Sequence, residues 1–256
     1  MRMPFQVYSN DKQVLGIMHI AKHQRNIAKV LVMCYGLNGN RVEQHRMSVK
    51  LGNKCEQIDI NFVRFDYSDC GVSEGDFSNS TLKRRISDLE NVLNFIGGCF
   101  DGKVEIYIVG FSDGAKIASK AATMSKLIKG IILWNPIINI EQSYMETKGK
   151  KDKLKINKKT GRIYKPLFGL EMSTLMIEEL KKDSSVEDLK NDYNKLTVFG
   201  SADMFTKNIQ VYFEDKKIEF PNMQIKYVDG AGHVFSSIEW ENEVFDTTLE
   251  FINAED

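Results

Sequence analysis

The chain has no excess of either charge: 35 basic residues stand against 35 acidic ones in 256. Without net charge there is no global attraction to a polyanion, so nucleic acid is not expected as a partner. Cysteine is scarce and scattered. Cys34, Cys55, Cys70 and Cys99 form no CxxC pair, which argues against a zinc site and against a dense disulfide scaffold. They are read as reduced thiols in a cytoplasmic protein. No segment approaches the roughly 18 consecutive apolar residues that a membrane-spanning helix needs. The start, Met1-Arg-Met-Pro-Phe-Gln-Val-Tyr, holds no apolar run of signal-peptide length. Neither secretion by that route nor integral membrane association is expected. There is no internal repeat and no low-complexity tract, and collagen, coiled-coil and disordered classes are excluded by composition.

What the chain does have is enough apolar material for a sizeable core. Hydrophobic residues make up 42% of it, and surface scaling at this mass buries about 73% of the unfolded chain's area. Short apolar runs rich in β-branched and aromatic residues occur at Val14–Ile20, Val30–Cys34, Asn61–Phe65, Val104–Val109, Ile131–Trp134, Leu196–Phe199 and Gln224–Val228. Several are apolar on both faces, as central parallel strands are. Between them Val42–Gln57, Thr81–Ile96, Ala115–Ile128 and Ile238–Ile252 carry apolar residues at helical spacing. Asn79 or Ser80 is the expected N-cap of the second, and Gly97-Gly98 its expected stop. This alternation predicts an α/β fold, a mostly parallel twisted sheet with helices on both faces. The first two runs have no helix between them and suit an antiparallel hairpin at one edge.

One stretch breaks the rhythm. Residues 135–192 show no clear strand, and Lys148–Lys165 contains nine basic residues against one acid, Asp152. A long irregular segment inside a compact domain is usually a lid or a binding loop. The division expected is therefore a core of residues 1–134 and 193–256 with a small inserted cap, 135–192. The basic tract is read as a solvated lid face, with attraction for an anionic substrate as the other reading. Met172, Leu175, Met176, Glu179 and Leu180 fall at helical spacing within it. Met172 and Met176 are candidate lining for a substrate pocket, although simple packing of the cap on the core is the favoured account of them.

The chemistry is concentrated in Gly110-Phe-Ser112-Asp-Gly114. It follows an apolar run directly and leads into a helical one. A strand turning sharply into a helix needs very small residues two positions either side of the turn residue. That geometry lifts the Ser112 oxygen clear of the sheet, beside a helix N-terminus that favours developing negative charge. Further landmarks are Cys34-Tyr-Gly-Leu-Asn-Gly-Asn40, Arg64-Phe-Asp-Tyr-Ser-Asp-Cys-Gly-Val-Ser-Glu-Gly-Asp-Phe77, Phe199-Gly-Ser-Ala-Asp203 and Gly230-Ala-Gly-His233. With these the chain, from about Val14 to Phe251, resembles the α/β-hydrolase fold serine hydrolases. More closely it is similar to the bacterial cinnamoyl-esterase and serine aminopeptidase-like lipase branch. It departs from that pattern at Tyr35-Gly36, where His-Gly is usual, at Asn38 in place of a common Gly, and at Ala115 in place of a second frequent Gly.

A serine hydroxyl needs a neighbouring base, usually imidazole. Of His19, His23, His45 and His233, only His233 lies in a Gly-rich loop after the last strand, where the fold places its base. The imidazole needs a carboxylate to fix its tautomer. Asp203, just past the Leu196–Phe199 run, is the candidate; Asp229 is too close in sequence to His233, and Asp66 and Asp69 follow an earlier strand. The order Ser112, Asp203, His233 matches the family's order of nucleophile, acid and base. The resemblance further implies an oxyanion hole made by the backbone amides of Leu37 and Asp113, with Tyr35 near the substrate. The expected function is hydrolysis of a small-molecule carboxylic ester or thioester through an acyl-enzyme on Ser112, with no metal or organic cofactor. An acyltransferase or thioesterase acting on a carrier-bound acyl chain, and a non-catalytic binding protein of the same fold, remain as alternatives.

Overall fold

The computed structural model describes residues 1–144 and 153–254. The sheet begins with β1 (Arg2–Ser9) and β2 (Lys12–His19), joined through Asn10 and Asp11, both at positive φ. β3 (Ala28–Cys34), β4 (Asn61–Phe65), β5 (Val104–Phe111) and β6 (Ile128–Trp134) follow. The 135–192 segment contributes β7 (Lys155–Ile156), β8 (Ile163–Leu167) and β9 (Leu170–Ser173), and the main sheet closes with β10 (Asn194–Gly200) and β11 (Met223–Val228). The eight main strands lie in the order β1-β2-β4-β3-β5-β6-β10-β11. Every neighbouring pair from β4 to β11 is parallel, and β2 alone runs against the rest. The antiparallel edge is thus β1 with β2. β3 sits inside the sheet, two places from β2, so the hairpin expected of the first two runs does not form. The strand that replaces it, Arg2–Ser9, alternates exposed and buried residues and lacks a continuous apolar run.

All seven residues of β3 and all five of β4 are buried, as parallel strands covered on both faces must be. Side chains alternate across β3. Leu31 and Met33 pack with α1 (Met47–Gln57) and α7 (Ile238–Asn253), through Leu51, Val244 and Phe245. Val30, Val32 and Cys34 face the layer of α2 (Leu82–Cys99), α3 (Gly114–Ala121) and α6 (Lys207–Asp215), through Leu89, Ile117 and Phe213. α2 is capped by the Thr81 side chain, one residue beyond the expected Ser80, and runs through Gly97-Gly98 to Cys99. α1 begins at Met47 because Glu43, His45 and Arg46 all have positive φ. α3 ends at Ala121, several residues short of the expected Ile128.

Within 135–192, the part of the basic tract from Lys148 to Asp152 lies outside the described residues. The rest forms a three-stranded antiparallel sheet, β7-β8-β9, followed by α4 (Thr174–Lys182) and the short α5 (Ser185–Asp188). Met172, Met176, Ile177 and Val186 are buried in the same cluster as α2 and α3. No helix among the described residues is long and apolar enough to cross a membrane.

Strand order places the site. The chain passes from β3 to β4 on one side, then crosses to β5 on the other side of β3. At such a reversal the loops leaving the carboxyl ends of two adjacent strands diverge and open a crevice. The residues after β3 and β5 are Tyr35-Gly36-Leu37 and Ser112-Asp113-Gly114.

Candidate active site

Ser112 caps β5 with φ of 55°, a left-handed conformation that non-glycine residues seldom adopt. It is held there by its own backbone. Its N–H donates to Trp134 O at 2.9 Å, and its carbonyl accepts from Ile137 N at 3.0 Å and Ala115 N at 3.1 Å. The flanking glycines are required by contact. A Cβ at Gly114 would lie 2.1 Å from the carbonyl oxygen of Cys34, and one at Gly110 would lie 2.7 Å from Ala118 Cβ.

His233 Nε2 is 2.9 Å from Ser112 Oγ, across 121 residues of sequence, and His233 Nδ1 is 2.7 Å from Asp203 Oδ2. Asp203 is buried and accepts further bonds from Thr206 Oγ1 on Oδ2 at 2.8 Å and from Phe205 N on Oδ1 at 2.9 Å. Burial alone would raise its pKa; the hydrogen bonds and charge from His233, with Thr206 and Phe205, outweigh that and hold it below the ordinary carboxylate range. The imidazole lies between the Phe111 ring at 5.5 Å and the Phe205 ring at 5.2 Å.

A cavity of about 90 Å³ opens beside these groups, lined by Leu37, Asn38, Glu43, Gln44, Ser112 and Asp113 among others. Among the described residues no backbone acceptor takes the amide proton of Leu37 or of Asp113. The Asp113 carboxylate is bound by buried Lys116, whose Nζ lies 2.7 Å away and also donates to Ile137 O. A single charged pair therefore stands next to the Ser112 turn rather than an isolated anion.

No family model matches the sequence, and no curated protein matches it. Solved structures do. A putative hydrolase from Agrobacterium vitis S4 superposes with a TM-score of 0.72 at 14% identity, covering 98% of each chain. Est1E from Butyrivibrio proteoclasticus with bound ferulic acid gives 0.71 at 19%, covering 97% of this chain and 99% of the other. The mouse alpha/beta hydrolase domain-containing protein 10 gives 0.70 at 13%, covering 99% and 100%. The chain has the α/β-hydrolase fold.

Within that fold the structure brings Ser112, Asp203, His233, Leu37 and Asp113 to one rim of the sheet. It does not bring Tyr35, Met172 or Met176 there. Tyr35 is fully buried, its ring 4.6 Å from Tyr67 and its hydroxyl accepting from Tyr67 N at 2.9 Å. Its side chain points into the core beneath the turn, so it braces the turn from behind instead of meeting substrate. Met172 and Met176 are 4% and 1% exposed and pack in the hydrophobic core. Apolar residues of this segment that do face outward include Leu154, Ile156, Ile163, Phe168 and Leu175.

His19 and His23 lie away from Ser112 and have other partners. Burial pushes the His19 imidazole down to about 4, where, neutral, it pairs with Glu56 at Nδ1 and accepts from Arg64 at Nε2. His23 is exposed against Asp59. Asp66 is buried in its own loop, taking Arg41 N at 2.6 Å and Val72 N at 3.0 Å.

One residue essential to this geometry has no sequence motif. Asn135, at the end of β6, is buried with φ of 39°. Its Oδ1 accepts from Gly200 N at 2.8 Å, and its Nδ2 donates to His233 O at 2.9 Å and Gly232 O at 3.3 Å. It fastens the strand that precedes Asp203 to the loop that carries His233. The dipeptide Asn135-Pro136 directly after an apolar strand is the only local sign of it.

Proposed function

We propose that the protein is a serine hydrolase that cleaves a small-molecule carboxylic ester or thioester through an acyl-enzyme on Ser112. The observation that carries this reading is the continuous hydrogen-bonded chain from Ser112 Oγ through His233 to Asp203. In the reaction Ser112 Oγ attacks the acyl carbonyl carbon while its proton passes to His233 Nε2. Asp203 holds the Nδ1–H tautomer and stabilises the imidazolium that forms. The carbonyl oxygen, now an oxyanion, accepts from the amides of Leu37 and Asp113; one such donor is worth on the order of 3 kcal/mol in the barrier. His233 then protonates the departing alcohol or thiol as the acyl–oxygen or acyl–sulfur bond breaks. A water molecule gives a proton to His233 and attacks the acyl-enzyme; the acyl–Oγ bond breaks, His233 returns the proton to Ser112 Oγ, and the acid is released.

The exposed Phe205 ring, edge-on to His233, and its exposed neighbour Met204 offer apolar surface beside the base. Binding of ferulic acid by Est1E, a fold neighbour, is consistent with an ester whose acid or alcohol part is apolar.

The test is labelling by a fluorophosphonate probe together with hydrolysis of a graded series of p-nitrophenyl esters. Wild type should label and turn over; Ser112→Ala and His233→Ala should do neither. Stoichiometric labelling of the Ser112→Ala protein would remove Ser112 from its role.

A further inference from the structure

The hydrolytic scheme leaves His45 unused, yet its position is specific. Its Nε2 lies 2.9 Å from the carbonyl oxygen of Val234, the residue next to His233. Its Nδ1 lies 2.7 Å from Oε2 of Glu241 on α7. Glu241 is buried and also takes Lys50 Nζ, from α1, at 2.9 Å on the same oxygen. A carbonyl can only accept, so the Nε2 contact with Val234 O requires a proton on that nitrogen, while Nδ1 stands at ion-pair distance from Glu241.

The backbone is bent to put the ring there. Glu43, His45 and Arg46 have φ of 60°, 39° and 65°. The same turn reaches the other half of the site, because the Glu43 carboxylate accepts from Gly36 N at 3.3 Å and from Gln44 N at 3.2 Å. The base loop is then held from two sides. Three successive carbonyls, those of Gly232, His233 and Val234, are each taken by a side chain, the first two by Asn135 and the third by His45. A loop fixed at consecutive peptides has little freedom to tilt the ring between them.

We propose that His45 is a positioning residue for the reaction at Ser112: anchored by Glu241, it grips the Val234 carbonyl and keeps the His233 ring aimed at the serine. This rests on the reading of Ser112 and His233 given above. Beside His45 stand Glu241 from α7, Lys50 from α1 through that carboxylate, and Glu43 in its own turn.

The experiment measures the second-order rate of fluorophosphonate labelling, with kcat and KM for a short ester, from about pH 5.5 to about pH 9. It uses wild type, His45→Ala, His45→Gln, Glu241→Gln and Ser112→Ala, each with a thermal melt. His45→Ala should label at least about tenfold more slowly, the scale expected of a misaimed reacting group, with kcat falling and KM nearly constant. His45→Gln, whose amide can donate to Val234 O, should recover most of that loss. Glu241→Gln, which loosens the anchor of the ring, should slow labelling with KM nearly constant. Labelling of His45→Ala at the wild-type rate throughout, or His45→Gln as slow as His45→Ala, would overturn the proposal. If His45→Ala does not melt cooperatively, labelling of Glu241→Gln at the wild-type rate overturns it. A wild-type rate in His45→Ala with none in Ser112→Ala sinks the positioning role alone, whereas persistent labelling of Ser112→Ala sinks both readings.

Discussion

Asn135 offers the sharpest quantitative test, because its contacts can be counted and none of them is to substrate. Replacing it with Ala removes the acceptor at 2.8 Å from Gly200 N and the donor at 2.9 and 3.3 Å from two carbonyls. A buried N–H left without a partner costs about 1–3 kcal/mol, and each lost neutral hydrogen bond about 1 kcal/mol. Ala is also less at ease than Asn at φ of 39°, which adds on the order of 1 kcal/mol. The sum is roughly 4–6 kcal/mol, which at about 2–4 °C per kcal/mol for a chain this long lowers Tm by on the order of 10–20 °C.

Asn135→Gly separates the parts. It relieves the backbone strain but restores no hydrogen bond, so it should be less destabilised than Asn135→Ala while losing as much activity. Asn135→Asp keeps the bond from Gly200 N and turns the donor into an acceptor facing the carbonyls of Gly232 and His233, so it should be the least active of the three. In each, kcat/KM for a short ester should fall about 10- to 100-fold through a loosened His233 loop. Urea unfolding monitored by tryptophan fluorescence and initial-rate kinetics on the same samples decide it. An Asn135→Ala protein within about 1 kcal/mol of wild type, with unaltered kcat/KM, would refute the reasoning.

Asp203→Asn keeps the size of the side chain but offers His233 the wrong partner at Nδ1, so kcat should drop by about 10³–10⁴ with KM little changed, measured on the same ester. Gly114→Ala sets a Cβ 2.1 Å from the Cys34 carbonyl and 2.7 Å from that of Tyr35; both are backbone and cannot step aside, so a loss of about 3 kcal/mol or more is expected by urea unfolding. Gly98→Ala is the control, since nothing lies within 4 Å of its added Cβ, and it should stabilise α2 by about 0.5 kcal/mol. Burial pushes the Glu43 carboxyl up from 4.5 to about 7, so the unfolded chain gives up that proton first and stability declines as pH rises through this interval. Glu43→Gln should therefore match wild type near pH 4 and exceed it near pH 8 by on the order of 2–3 kcal/mol; a gap that does not change with pH in paired urea titrations would contradict this.

The parallel core was legible because its strands are buried on both faces, and such strands appear in sequence as short unbroken apolar runs. Asn61–Phe65 and Ile238–Asn253 come within a residue of their predicted limits for this reason. The elements that escaped are those with one exposed face or none buried. Arg2–Ser9 alternates, Lys155–Ile156 is wholly exposed, and β8 has no buried residue. Their pairing is set by neighbours across a turn and leaves no periodic signal. The same limit explains Tyr35, Met172 and Met176. An aromatic or a methionine beside a motif announces burial, but the face it is buried against follows from strand order and packing, which periodicity does not encode.

Ser112, Asp203 and His233 were legible for a different reason: each sits at the carboxyl end of a strand and is marked by small residues that let the backbone turn there. Gly110 and Gly114 look like requirements of one local turn, yet the atoms that forbid a side chain at Gly114 belong to Cys34 and Tyr35, eighty residues earlier in the chain. Gly36 shows the reciprocal contact, with Ser112 Cβ 3.2 Å from where its own Cβ would be. Two of the glycines that identify the site are thus records of a tertiary contact between the turns after β3 and β5, which only adjacency of those strands can produce. Asn135, Glu43 and His45 act on backbone groups across that same rim, through polar side chains that fit a surface loop equally well. A polar residue whose partner is a peptide group carries no complementary letter elsewhere in the chain, so its role becomes visible only when the loops are brought together.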